Sequence, residues 1–197
     1  MDVDLADLFL FWYGCLPHLT YVKRMTEIDI HTQWTTIWFS KTKDTDLYLK
    51  RFEPLLQECL TEVTDEMPLE KRMALIILYD QIPRNIYRGT PKAYEYDQIA
   101  YGLTQSLINS QLSLPTAFQL TLLICLLHQE DLWVHQKLLE FRETISLYRN
   151  GVLSATIDKM IYLHHLRLEL FGRYPERNQY LGRKSTQGEI IFLSAIY

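Results

Sequence analysis

The sequence predicts an all-α fold, a single domain of stacked antiparallel helices spanning residues 1–197. Three observations point there. Apolar residues recur at spacings of three and four, with no sustained alternation of the kind a half-buried strand needs. Proline and glycine stand where these apolar blocks begin and end, and several blocks are preceded by residues that cap helices. The chain has 197 residues and is 48% hydrophobic, enough for one sizeable core.

Taken in order, a first short helix runs from about Leu5 to Tyr13 and stops at Gly14. Residues 15–30 show no decisive pattern. A short helix follows near Gln33 to Phe39. Asp44 or Asp46 then caps a helix through Leu47, Phe52, Leu56 and Leu60, with Pro54 as its kink. The next helix opens near Pro68 and carries Met73, Ile76, Ile77 and Asp80 before Pro83 interrupts it. Thr90 and Pro91 read as another cap and first turn, and a helix from Asp97 to Asn109 leads to Pro115. There the most apolar stretch begins, "FQLTLLICLLHQE", which we place at the centre of the fold. A helix from Asp131 to Arg149 ends at Asn150 and Gly151, a pair suited to a left-handed C-cap. Ser154 is the expected cap of the following helix, which Gly172 stops after Phe171. Thr186 and Glu189 form a T-x-x-E capping box at the head of the last helix. No 34-residue repeat of the Trp, Leu-Gly, Tyr, Ala and Pro type is visible, and no linker divides the chain.

Composition narrows the function classes. A formal net charge of -4 argues against general nucleic-acid binding. Acidic residues at the start, where a signal peptide carries basic ones, and the absence of about 18 unbroken apolar residues predict a soluble, cytoplasmic protein with no membrane partner. Cys15, Cys59 and Cys125 are far apart, odd in number and set among apolar residues, so neither a disulfide framework nor a zinc motif is expected. Phosphate loops, serine elbows and cofactor fingerprints are missing as well, and no cofactor is predicted.

Three polar segments hold the candidate chemistry. The first, "DQIPRNIYRG", sets Asp80, Gln81, Arg84, Asn85 and Arg88 directly after a buried apolar run, so several must be desolvated and matched. The second, "HQEDLWVHQ", places His128 and Glu130 at the end of the most apolar helix. His128 and His135 are two helical turns apart on an unbroken helix, about 10.5 Å, which with the lack of an H-E-x-x-H or E-x-x-H spacing argues against a metal. The third, "FGRYPERNQYLGRKST", brings Arg173, Arg177, Asn178 and Arg183. Arginine's planar fork suits bidentate capture of carboxylate or phosphate. Two outcomes stand open: the arginine loops converge on an anion site, with Arg84 and Arg173 aimed at a common space, or Asp80, Glu130 and Glu176 neutralise them in an ion-pair network that staples helix ends.

In this order the three segments resemble the domain of unknown function 924, an all-helical, tetratricopeptide-like family. Its hallmarks are a DQFPRN-(I/M)-(F/Y)-RG segment, a central HSED-like segment and a terminal FGRFPHRN..LGR.ST segment. "FWYG" near the start and "WFS" at 38–40 fit too. The resemblance marks Asp80, Gln81, Arg84, Asn85, Arg88 and Gly89, then His128, Glu130 and Asp131, then Arg173, Pro175, Arg177, Asn178, Gly182 and Arg183, with His164 where the family tends to carry a histidine. Gln129, Glu176 and Cys125 depart from it, standing where Ser, His and Pro are usual. A family pattern rich in Arg, Asn, Asp and His at loop ends favours the site over the staple. The resemblance names no ligand; the leading reading from the arginines is a polar pocket that binds a small anionic or phosphate-bearing molecule. Were catalysis to occur there, His128 would serve as general acid or base oriented by Glu130. The alternative is a non-enzymatic scaffold whose groove takes a peptide or partner protein.

Overall fold

Two helices that are apolar on every side organise the chain. The computed structural model describes residues 1–40, 42–60, 67–147 and 151–196, and no strand occurs among them. In α6 (Leu69–Asp80) every residue from Arg72 to Asp80 is buried, and in α9 (Thr116–Leu127) every residue from Leu120 to Leu127 is buried. A helix enclosed all round needs apolar residues all round, which Met73–Tyr79 and Leu122–Leu127 supply. Helix α6 packs against α1 (Val3–Tyr13), α8 (Asp97–Asn109) and α9. Buried polar groups fasten the layers: Tyr13 Oη lies 2.8 Å from Thr121 Oγ1, and Trp38 Nε1 donates to the Trp12 carbonyl at 2.7 Å.

Several expected boundaries shift for local reasons. Residues 15–30 contain α2 (Leu19–Val22) and the start of α3 (Glu27–Gln33). The latter opens with a Thr26–Asp29 capping box, in which Asp29 accepts from the Thr26 amide at 2.8 Å. It runs into a π turn over Trp34–Trp38, where an ordinary short helix was expected. Thr42, rather than Asp44 or Asp46, caps α4 (Lys43–Leu49), and both aspartates lie in the first turn, where a carboxylate favours the positive helix end. Pro54 divides the expected long helix into α4, a 3₁₀ turn at Lys50–Phe52 and α5 (Leu55–Glu58), since it has no N–H to continue the ladder.

Downstream, Pro83 sits in the first turn of α7 (Ile82–Ile86), which follows α6 almost without pause. Asp131 caps α10 (Leu132–Glu143), accepting from the Trp133 amide at 2.7 Å. That helix stops short of Arg149; of the pair expected to cap it, Asn150 lies outside the described residues and Gly151, with φ of -73°, is extended, not left-handed. Helix α11 (Val152–Phe171) begins after Gly151, so Ser154 falls inside the first turn instead of capping it, and its hydroxyl accepts from Arg142 at 2.8 Å. Gly172, with φ of 67°, ends α11 in the left-handed conformation that costs glycine least. The Thr186–Glu189 box opens α12 (Gln187–Ile196), with bonds of 2.7 and 3.2 Å. No helix among the described residues is long and apolar enough to cross a membrane.

Candidate functional site

Asp80 is the last residue of α6 and is 1% exposed. An isolated carboxylate there would be costly, and its neighbours remove that cost. Gln81 donates to Oδ2, while His128 Nδ1 and an Arg84 nitrogen stand 2.8 and 3.3 Å from Oδ1. Burial pushes the Asp80 pKa up, but His128 and Arg84 outweigh it and hold it at about 2. An ionised carboxylate only accepts hydrogen bonds, so the proton sits on His128 Nδ1 and the neutral imidazole keeps its lone pair on Nε2. Nε2 has no hydrogen-bond partner among the described residues. Burial first, and Arg84 second, depress the His128 pKa and favour that neutral form.

Arg84 makes three hydrogen bonds. It donates to the Asp80 carbonyl at 2.6 Å and grips Asp97 with two bonds, 2.7 and 2.8 Å. Asp97 heads α8, so this fork ties α7 to α8. Arg183 likewise grips Glu130, with one bond at 3.1 Å, and donates to the Tyr174 carbonyl at 3.1 Å.

Arg177 lies between these two pairs and differs from both. It is 9% exposed, yet its guanidinium makes no hydrogen bond among the described residues. Its carboxylate neighbours, Asp97 and Glu130, stand 3.8 and 3.6 Å away, beyond hydrogen-bond distance. The guanidinium instead packs on two rings, 4.7 Å from the Tyr94 centroid and 4.6 Å from that of Tyr174. Burial, then repulsion by Arg84, lower its pKa from the usual arginine value. Arg84 reaches the same Tyr94 ring, at 5.8 Å.

The other expected site residues are placed less centrally. Arg173, whose guanidinium was expected beside that of Arg84, turns to Glu189 at 2.6 Å and the Lys184 carbonyl at 3.0 Å, stapling the head of α12; Arg177 is the arginine that meets Arg84. Glu130 does not orient His128, because it is held by Arg183; Asp80 takes that role. Glu176 pairs with Arg167 at 3.2 Å. Arg88 pairs with Asp46 at 2.8 Å on the surface and touches Asn85 Oδ1 at 3.0 Å, while Asn85 donates to the Gln81 carbonyl at 2.9 Å. Asn178 is buried and donates to Ser185 at 3.1 Å. His164 Nδ1 bonds the Met160 carbonyl at 2.8 Å, and its ring meets Tyr174 edge-on. His135 is enclosed elsewhere, against the Tyr174 hydroxyl at 2.9 Å.

Sequence reasoning missed Asp97, Tyr94 and Tyr174. Asp97 was legible only as a helix start, and nothing in its local pattern announces a partner thirteen residues upstream. Tyr94 also forms part of the wall of a cleft of about 760 Å³ on the same side of the molecule.

A solved structure resembles this fold: "Structure of Protein of Unknown Function ATU0120 from Agrobacterium tumefaciens", with a TM-score of 0.65 and 25% sequence identity over 84% of this chain and 93% of that one. Among curated proteins none matches. Residues 9–196 match the model of the family described as Bacterial protein of unknown function (DUF924), and the chain belongs to that family.

Proposed function

We propose that this chain, acting as one helical domain, binds a small anionic or phosphate-bearing ligand at Arg177, with Arg84 alongside. The supporting observation is the contrast within the network. Arg84 and Arg183 make close forked hydrogen bonds, as structural arginines do, whereas Arg177 is nearly buried with its N–H donors unengaged among the described residues. None of its nitrogens is among the fully buried atoms that lack a partner, so its donors stay within reach of a small oxyanion.

Formal charge alone does not draw the anion in. Asp80, Asp97 and Glu130 balance Arg84, Arg177 and Arg183. The attraction lies in unmade hydrogen bonds, which an oxyanion supplies at about 2.8 Å in charge-assisted form. Asp97 and Glu130 oppose it, so a protonated His128 would assist. In a reaction at this site His128 Nε2 is the proton acceptor, and Asp80 stabilises the imidazolium that results.

Isothermal titration of the full chain with sulfate and with inorganic phosphate tests the reading. Saturable binding in the millimolar range or tighter is expected, and Arg177→Met should abolish it. Equal binding by that variant sinks the proposal. Sulfate keeps its charge across the histidine range, so its affinity should rise as pH falls, because the bound anion favours imidazolium.

One observation favours the scaffold reading. The groove between α10 and α11 is lined by Leu139, Ile161 and Tyr162, the last 63% exposed. Loss of a labelled amphipathic peptide's binding in Tyr162→Ser, with sulfate binding retained, would support a tetratricopeptide-like partner groove instead.

A further inference from the structure

Helix α11 carries two apolar faces, and the core uses one of them. Leu153, Ile157, Ile161 and Leu168 are buried. On the opposite side Val152, Ala155, Tyr162, Leu163, Leu166 and Leu170 recur at intervals of three, four and seven, the spacing of a single helix face. That face is open to solvent. Val152 is 70% exposed, Leu170 57% and Leu163 38%, while Leu166 is half-buried. Among the described residues, neighbouring helices take the flanks. Helix α12 meets α11 through Phe192, whose ring lies 5.1 Å from that of Phe171 and 5.6 Å from the Arg167 guanidinium. On the other flank Arg142 of α10 holds Asp158 at 2.8 Å.

The outer face is large for a surface left uncovered. At 1.5 Å per residue the helix is about 30 Å long, and at a width of about 10 Å the stripe presents on the order of 300 Å². Contiguous apolar patches of that extent are often contact surfaces.

Charge indicates what fits it. Lys159 lies on the N-terminal half of the stripe and Glu169 at the edge of its C-terminal half, about 15 Å apart at 1.5 Å per residue, and both are exposed. Lys159 has no ion-pair partner among the described residues, and Glu169 has only His165, at 3.5 Å. A second copy laid antiparallel about a twofold axis midway between them brings its Glu169 opposite Lys159 and its Lys159 opposite Glu169. The same axis sets Tyr162 of each copy near Leu166 of the other. In such an isologous contact every pair occurs twice, and a parallel arrangement would instead set like charges together. The stripe is complementary to itself in one orientation.

We propose that the outer face of α11 pairs with the same face of a second copy of this chain, antiparallel, with Lys159 of each protomer against Glu169 of the other. A standard interface buries about 800 Å² on each side, more than one helix stripe supplies, so association in the micromolar range is expected. None of these residues belongs to the network around Asp80 and Arg177, and the anion-binding reading stands or falls separately.

Sedimentation of the full chain from about 5 to about 500 µM tests the pairing, with monomer expected at the low end and dimer at the high end. Lys159→Glu and Glu169→Lys should each weaken association tenfold or more, because like charges then meet at two symmetry-related points. The double reversal Lys159→Glu with Glu169→Lys should restore it to within about threefold of the parent. Both positions are exposed, and unchanged helical circular dichroism in each variant separates lost pairing from lost folding. A chain that stays monomeric at about 500 µM overturns the proposal, as does a dimer indifferent to the single reversals or one that the double reversal fails to restore. Binding of an amphipathic peptide to a persistently monomeric chain, lost in Leu166→Arg, would assign the face to a different protein instead.

Discussion

The first and third polar segments use the same residues to different ends. In residues 80–89 the buried charges close on one another: Asp80 is matched by Gln81, His128 and Arg84, and Arg84 by Asp97. In residues 172–185 the half-buried arginine, Arg173, is firmly paired, while the more enclosed one, Arg177, lacks a hydrogen bond among the described residues. Two arginines in similar surroundings of sequence are thus a staple in one case and an open donor in the other. The lesson is that enclosure without hydrogen bonds, more than arginine content, separates a candidate site from a fastening.

The sharpest test of this contrast is Arg84→Ala. Removing one partner leaves Asp80 and Asp97 short of compensation in the interior, and a loss of about 3 to 5 kcal/mol is expected by chemical denaturation. A loss below about 1 kcal/mol would mean that the network is not a staple.

Acid should act through the histidines before it reaches the carboxylates. Burial depresses the His135 pKa to about 4 from 6.5. Between these values the unfolded chain binds the proton more readily, so stability is present above pH 6.5 and falls as pH drops toward 4. The loss is on the order of 3 kcal/mol at 1.36 kcal/mol per unit. Asp80, depressed from 3.8 to about 2, adds its loss only as pH falls through that lower window. Denaturant midpoints should stay level from pH 7.5 to about 6.5 and decline from there to pH 4; a flat profile from pH 6.5 to 4.5 would contradict the enclosed, neutral His135.

Arg177→Met should change stability by only about 1 kcal/mol in either direction, since an apolar side chain of similar length relieves an unmatched guanidinium while Asp97 keeps Arg84 and Glu130 keeps Arg183. A cost as large as that of Arg84→Ala would erase the distinction between the two arginines. The smallest effect belongs to Arg88→Ala, on the exposed pair with Asp46. Its midpoint should shift by no more than about 0.5 kcal/mol, measured by the same denaturation.

Much of the helical outline was legible because its signals are local. The stops at Gly14 and Gly172, the Asp131 cap and the Thr186–Glu189 box each involve residues within one turn of each other. Where the expectation slipped, a local competitor had prevailed, as with Thr42 over Asp44 and Asp46. The polar segments were legible as segments, but the pairing inside them was not. Glu130 stands two residues from His128 and was the natural choice to orient it, yet Asp80 does so across 48 positions of chain.

The sequence by itself determined the helical class, the central place of the most apolar helix and the family membership that its motifs resemble, because spacing and caps act over a few residues. Only the tertiary structure decided which charge meets which. Hydrogen bonds of 2.6 to 3.1 Å depend on how helix ends are brought together, and those ends are set by packing of α6 and α9 against the rest of the core. Arg84 found Asp97 through that packing, and Arg177 was left with its nearest carboxylates at 3.6 and 3.8 Å. No local pattern of residues encodes that difference, since it arises from fractions of an ångström between segments distant in the chain.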